Sequence, residues 1–399
     1  MKSFSILTCI ACLSVWHLQA QATLKKDQVP TGRSTTTRSI TAGNSLSGSS
    51  LSAVSSDVDT TIHTLNLQER FVLQPLQLDI HLPAQVSIER STGSQIEVKV
   101  KGKGKSYQAQ IQSASEANTG KRLLVDLQDK QQSISSTADL VQIQIFLPAN
   151  ASVKGWMRQG ELKIEKVQAE LSLDLGNGTI SLQDSEGSIS LSSQAGSVVC
   201  TNSHFNGNLS ALSGSVALQQ CRGQISGDAA VGSFSVDSPT QPVNAQLGSG
   251  QLQLQVAEGD VMGSVYEGTL NFAWKGDKQV KGQYFSFSAQ KGRLNLGFPV
   301  GFPLDIQLDQ TASETQTETQ MATVTTTSDP AVRQIVSPTE PLAQKVHSDF
   351  SLRSFGKEKQ LTHNGQKLRL VQGEQQLHGG GNRLSLYAAD SEVYLQKAK

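Results

Sequence analysis

Gly178-Thr179-Ile180-Ser181-Leu182-Gln183 is followed nine residues later by Gly187-Ser188-Ile189-Ser190-Leu191-Ser192, and nine later again by Gly196-Ser197-Val198-Val199-Cys200-Thr201. The unit is glycine, an outward polar residue, an apolar residue, a second outward residue and a second apolar one. Extending the nine-residue marks gives Gly160, Ala169, Gly178, Gly187, Gly196, Phe205, Gly214, Gly223, Gly232, Gln241, Gly250, Gly259 and Gly268, of which ten in thirteen are glycine. Every second mark is glycine throughout, which makes the true repeat an 18-residue one. With 34 glycines in 399 residues, seven such hits in a row have a chance probability on the order of 10⁻⁸ before choice of frame.

Two residues after each mark the sequence reads Leu162, Leu171, Ile180, Ile189, Val198, Gly207, Val216, Ile225, Phe234, Val243, Leu252, Val261 and Leu270. Four after stand Ile164, Leu173, Leu182, Leu191, Cys200, Leu209, Leu218, Gly227, Val236, Ala245, Leu254, Gly263 and Phe272. Alternation of this kind is a short strand with one buried face. The predicted fold is therefore all-β: a single-chain β-solenoid, or parallel β-helix, over residues 149–309, each 18-residue coil made of two nine-residue units. Glycine is expected at turns needing positive φ. Phe205, with the next glycine two residues late at Gly207, predicts a two-residue bulge carrying a solvent-facing His204.

Outward from the repeat, residues 63–148 alternate in Leu76–Leu82, Ile96–Val100, Leu123–Leu127 and Val141–Leu147, an expected antiparallel β region ending at Pro148. Within it Lys99, Lys101, Lys103 and Lys105 fall on one strand face, read as charges guarding a sheet edge. Residues 23–62 are a Ser/Thr-rich leader and 310–346 a Thr/Gln-rich insertion, both lacking apolar periodicity and expected to be disordered. Residues 347–399 are expected to close the solenoid, with strands at Asn382–Tyr387 and Glu392–Leu395.

Lys2, the apolar run from Phe4 to Trp16 and Ala20-Gln21-Ala22 make residues 1–22 an expected secretory signal peptide, with cleavage after Ala22. A lipid on Cys12 is the alternative. The expected location is the periplasm, the cell surface or the medium, with no transmembrane helix, since no later stretch is apolar enough to span a bilayer. Equal numbers of basic and acidic residues, 34 each, argue against a nucleic-acid partner.

Cys200 and Cys221 are the cysteines beyond that leader and form the candidate disulfide. Along an extended strand Cys221 lies about 10 Å past Leu218, the residue stacked on Cys200, so only a sharp corner at Gln219-Gln220 would bring the thiols together.

The strand Val141–Leu147 with Pro148, the Gly-x-apolar-x-apolar units, Phe298-Pro299 before Leu304-Asp305-Ile306, and the strand pair after Gly379-Gly380-Gly381 resemble the bacterial "putative adhesin" family of β-strand-repeat cell-envelope domains, relatives of the head-GIN domain. The resemblance runs from Leu65 to Leu395, and Ala389-Asp390-Ser391 departs from it where glycine is usual. It implies an envelope β-solenoid and transfers no catalytic residue.

No nucleophile elbow, phosphate loop or His-Glu-x-x-His motif occurs, and no cofactor or metal is expected. Asp174, Asp184, Glu186, Asp228 and Asp237 read as turn acids, only Asp174 and Asp228 sharing a column, three coils apart. The expected function is a non-catalytic surface or scaffold module binding glycan or an envelope protein through outward Ser181, Gln183, Ser190, Gln251, Gln253 and Asn271. The alternative is a glycan-active β-helix lyase or hydrolase.

Overall fold

The computed structural model describes residues 64–103, 107–115, 118–127, 141–237, 242–313, 345–350, 358–363 and 366–398. The expected signal peptide, the site after Ala22, the Ser/Thr leader, Lys105 and most of the Thr/Gln-rich insertion lie outside these residues. The described residues form one mixed sheet of 20 strands. Among them no helix is long and apolar enough to cross a membrane.

The repeat forms eight consecutive strands, β7 (Ala151–Glu165), β8 (Gln168–Gln183), β9 (Glu186–Thr201), β10 (His204–Gln219), β11 (Ile225–Asp237), β12 (Val243–Val256), β13 (Val261–Trp274) and β14 (Tyr284–Phe298). Each pairs in parallel with the next, and from β7 to β13 the register advances by one 18-residue period per strand, Gly160 on Gly178, Gly178 on Gly196 and so to Gly268. Gly292 then sits on Gly268. Six extra residues are accommodated between β13 and β14 without loss of register.

These glycines do not stand in turns. They fall inside the strands, where each rung bends, with φ of +135° at Gly178 and Gly232 and +138° at Gly214. A Cβ at Gly214 would lie 1.8 Å from the Gly196 carbonyl oxygen, so the stack at this bend is too close for any side chain. From the start of β7 to the end of β10 the other end of each rung is a corner made without glycine: Asn150, Lys166, Asp184, Asn202 and Gln220 adopt φ between 48° and 62°. Each of these residues donates its backbone N–H to a carbonyl of the following rung, as Asp184 does to Thr201 and Asn202 to Gln219.

The bend divides every rung into a first and a second half whose inward side chains meet. A Cβ on Gly227, in the first half of β11, would be 2.4 Å from the ring of Phe234 in its second half. The apolar columns are buried as the alternation requires, with Ile164, Leu182, Leu191, Val198, Leu252 and Leu270 fully inaccessible. Each contributes about 1.5–3 kcal/mol of gross burial. Aromatic residues gather at one end of the core, where Phe272 and Phe287 rings are 4.7 Å apart and Phe298 stacks on Phe302 at 5.6 Å.

At Phe205 the expected bulge is absent. His204, Phe205, Asn206 and Gly207 pair without slip against Glu186, Gly187, Ser188 and Ile189. The size order is exchanged instead, a buried Phe205 in the glycine column beside Gly207 in the apolar column.

The N-terminal region is mixed rather than antiparallel. It comprises β1 (Thr64–Val72), β2 (Leu76–Arg90), β3 (Gln95–Lys103), β4 (Tyr107–Ser115), β5 (Asn118–Leu127) and β6 (Val141–Leu147). β2 is a rung like those of the repeat, running parallel to β7 with Ala84 on Gly160. On its other side β5 pairs in parallel with the first half and β6 with the second. Antiparallel pairs β4–β5, β3–β6 and β1–β3 extend these two halves outward. β3 therefore lies between two strands, and its lysines do not guard an edge. Lys99 instead lies 3.4 Å from the Glu97 carboxylate and 4.8 Å from the centre of the Phe146 ring.

Beyond β14, β15 (Leu304–Ser313) runs past residue 310, where the insertion was expected to begin. β16 (Val346–Ser348), β17 (Lys359–His363), β18 (Gln366–Leu377), β19 (Asn382–Ala389) and β20 (Ser391–Lys397) complete the sheet. β19 and β20 each pair in parallel with one half of β14. The corner between them repeats that of the stack, Asp390 at φ 47° followed by Ser391 whose hydroxyl donates to Ala389 O at 2.7 Å. The glycine missing from the resemblance is thus replaced by the chain's own corner chemistry.

Candidate functional site

Two-residue alternation on stacked rungs sorts the outward residues into ladders. Along one first-half column stand Asp79, Trp156, Asp174, Ser192, Ser210, Asp228 and Gln246. Along a second-half column stand Glu161, Thr179, Ser197, Ser215, Ser233, Gln251 and Thr269. Neighbours bond along the ladder: Ser197 Oγ to Thr179 Oγ1 at 3.3 Å, Asn295 Nδ2 to Asn271 Oδ1 at 2.7 Å, and Ser192 Oγ to the Asp174 carboxylate. Asp174 and Asp228 do share a column three rungs apart. Burial pushes the Asp228 carboxyl above the ordinary carboxylate value, partly offset by the Asn208 amide at 3.4 Å.

Asp184, Glu186 and Asp237 do not converge with these. Asp184 is a corner residue accepting from Gln183 Nε2 at 3.1 Å and from Asn202 Nδ2. Glu186 begins β9 in register with His204, which is exposed.

Sequence reasoning missed a charged aromatic spot on the first-half face. Trp156 is an outward, half-buried residue between Asp79 on β2 and Asp174 on β8. Asp79 accepts from Arg122 of β5, His81 Nε2 lies 2.9 Å from its carboxylate, and the His81 ring meets Trp156 edge-on at 5.5 Å. The parity of Trp156 follows from its place before Met157, but Arg122 and Asp79 are 43 residues apart and only strand pairing joins them. The crevice beside Trp156 holds about 10 Å³, about the room of a single water.

A larger open groove of about 480 Å³ lies over β15, β18 and β19, lined by Asp305, Gln307, Glu374, Gln376 and Arg383. Asp305 there is already engaged by Gln376 Nε2 at 3.0 Å and Gly381 N at 2.9 Å. On the second-half face, Glu392 is held below the usual carboxylate range by the Arg293 guanidinium at 2.9 Å and the Tyr394 hydroxyl at 3.0 Å. Arg293 lies 4.7 Å from the Tyr394 ring centre and His347 stacks on that ring at 4.5 Å. This cluster ties β14, β20 and β16 together. Among the described residues no three His, Cys, Asp or Glu side chains come together as a metal site.

Cys200 and Cys221 are both buried thiols, and their sulfurs are 3.0 Å apart. The long offset expected of an extended strand is removed by the corner at Gln220, φ 54°. That corner carries Cys221 in the position that Ser185 and Ser203 occupy in earlier rungs.

No family model matches the sequence, and no curated protein matches it. Among solved structures it is similar to a "putative cell adhesion protein" from Clostridium sporogenes, at 8% identity and a TM-score of 0.17, the match covering 84% of this chain and 100% of the other. A likeness this weak carries nothing over to this chain.

Proposed function

We propose that the protein is a β-solenoid of 18-residue coils, exported to the cell envelope, that binds glycan without turning it over. The 18-residue parallel register, the bend in each rung, the corner that recurs from Asn150 to Gln220, and the meeting of the two half-rungs across one core support the solenoid reading. Export rests on the sequence of residues 1–22, and the adhesin-like reading on the residues that carry the resemblance.

One observation carries the binding reading: the outward ladders are chiefly neutral hydrogen-bonding groups, and they run up to a half-buried indole flanked by carboxylates at Trp156. Ser, Thr, Asn and Gln ladders complement sugar hydroxyls, and an aromatic face complements the C–H face of a pyranose ring. Catalysis would need an acid and a base free to exchange protons. Asp79 beside Trp156 is instead committed to Arg122 and His81, and Asp174 to Ser192.

The test is retention of the purified protein on cell-wall and capsular polysaccharides, with product analysis. Retention without new reducing ends is expected, and Trp156→Ala should weaken it about tenfold, the loss of one stacking contact. Retention unchanged by Trp156→Ala would remove the indole from the site. The enzyme alternative has its best place in the groove at Asp305 and Glu374. Cleavage abolished by Glu374→Gln would establish it.

A further inference from the structure

We propose that Cys200 and Cys221 close an intrachain disulfide by thiol–disulfide exchange with an external disulfide, locking the corner after β10 to the end of β9. The inference is independent of any ligand and rests on placement. Cys200 is in the inward column, paired with Leu182 on one side and Leu218 on the other. Cys221 is in the corner column below Ser203.

The corner column shows what Cys221 replaces. Ser185 Oγ donates to Gln183 O at 2.7 Å, and Ser203 Oγ donates to Thr201 O at 2.9 Å while accepting from Ser185 N at 3.1 Å. Cys221 makes the same contact with Gln219 O at 3.4 Å. At the third corner the thiol also reaches Cys200, 21 residues earlier. The residues the same distance before Ser185 and Ser203 are aliphatic, Ile164 and Leu182, so of these three corners it is this one at which both positions carry sulfur. Their separation of 3.0 Å is about 1 Å longer than a disulfide, so a small side-chain rotation closes it.

The two thiols are not equivalent. The hydrogen bond from Cys200, with backbone donors, holds the Cys221 thiol below its ordinary value, while that same bond and burial push Cys200 up. Cys221 is also flanked by exposed Gln220 and Arg222. Reached through that exposed corner, Cys221 loses its proton and attacks one sulfur of the external disulfide, forming a mixed disulfide and expelling one thiolate. Cys200 then loses its proton, attacks the Cys221 sulfur and expels the second thiolate. Two protein thiols are oxidised by two electrons, one disulfide is reduced, and the two protons end on the released thiols. Because both sulfurs are buried, exchange takes place while the corner is open, and the closed bond is sheltered from reductant afterwards.

The experiment uses the full chain refolded with oxidised glutathione. Tryptic peptide 167–222 contains both cysteines, since no Lys or Arg lies between Lys166 and Arg222, so the bond lowers that one peptide's mass by two hydrogens. Digestion between the cysteines should leave the fragments joined. The oxidised chain should melt roughly 5–10 °C above the reduced one, and reduction should be at least tenfold slower in native buffer than in urea. Cys221→Ser, which restores the hydroxyl of the earlier corners, should fold and leave Cys200 as a thiol untouched by reagent until urea is added. Two free thiols in the refolded peptide, a glutathione adduct that persists, or pairing with Cys9 or Cys12 would each overturn the proposal.

Discussion

Gly214→Ala tests the bend on which the stacking depends. At this glycine φ is 138°, and an added Cβ would sit 1.8 Å from the Gly196 carbonyl oxygen and 2.8 Å from its carbon. A relaxed carbon–oxygen contact is about 3.3 Å or more, so the rungs would have to part locally by over an ångström. Forcing a side chain into this backbone region costs about 1–3 kcal/mol. Parting the rungs breaks about two backbone hydrogen bonds at about 0.5–1.5 kcal/mol each. The sum, about 2–6 kcal/mol, is a large part of the stability of an ordinary domain and lowers Tm by roughly 5 °C or more. Two controls separate the terms in the same thermal melt. Gly282 has φ 85° with nothing within 4 Å of an added Cβ, so Gly282→Ala keeps only the backbone term, about 1–3 kcal/mol. Gly93→Ala, whose Cβ would be 3.6 Å from Ser91 Oγ, should shift stability by less than about 0.5 kcal/mol. If Gly214→Ala costs no more than Gly282→Ala, the rungs are not in the close register described.

Leu182→Asp places an uncompensated charge at a fully buried position and should abolish folding, whereas exposed Gln183→Lys should leave the melt within about 0.5 kcal/mol of wild type, as circular dichroism will show. Ser203→Ala leaves the buried Ser185 N–H without its acceptor and should cost about 1–3 kcal/mol in urea titration. Asp228 binds its proton more tightly folded than unfolded, so its contribution favours the native state below the unfolded carboxylate value and is lost as pH rises through the folded one. Asp228→Asn should therefore raise Tm at neutral pH and leave it nearly unchanged in acid well below the carboxylate range, and an equal gain at both would contradict the burial argument.

The nine-residue grid made the register legible because the glycine that recurs in each 18-residue period marks where a rung passes closest to the last, and alternation about it assigns inward and outward residues. It did not reveal what each glycine does. The bends need glycine for lack of space, while the corners use Lys166, Asp184, Asn202 and Gln220 in left-handed backbone, and backbone hydrogen bonds to the following rung hold that conformation without a distinctive residue type. Phe205 misled for a related reason: a size exchange between adjacent columns reads in one dimension as an insertion. The charged aromatic spot was illegible because Arg122, Asp79 and Trp156 meet only through β5, β2 and β7. Cys221 reaches Cys200 through a sharp corner at Gln220, the one route the extended-strand distance leaves open for the two thiols.

The parallel 18-residue register is tested most directly by a cross-link in which its first rungs report on themselves. Thr179 and Ser197 are outward, opposite one another, with hydroxyl oxygens 3.3 Å apart. In a chain carrying Cys200→Val and Cys221→Ser, the substitutions Thr179→Cys and Ser197→Cys should form an intrachain disulfide on mild oxidation of the folded protein, while Thr179→Cys with Val199→Cys should not. Free thiols in the first pair beside efficient bonding in the second would contradict the stacked register and the solenoid built on it.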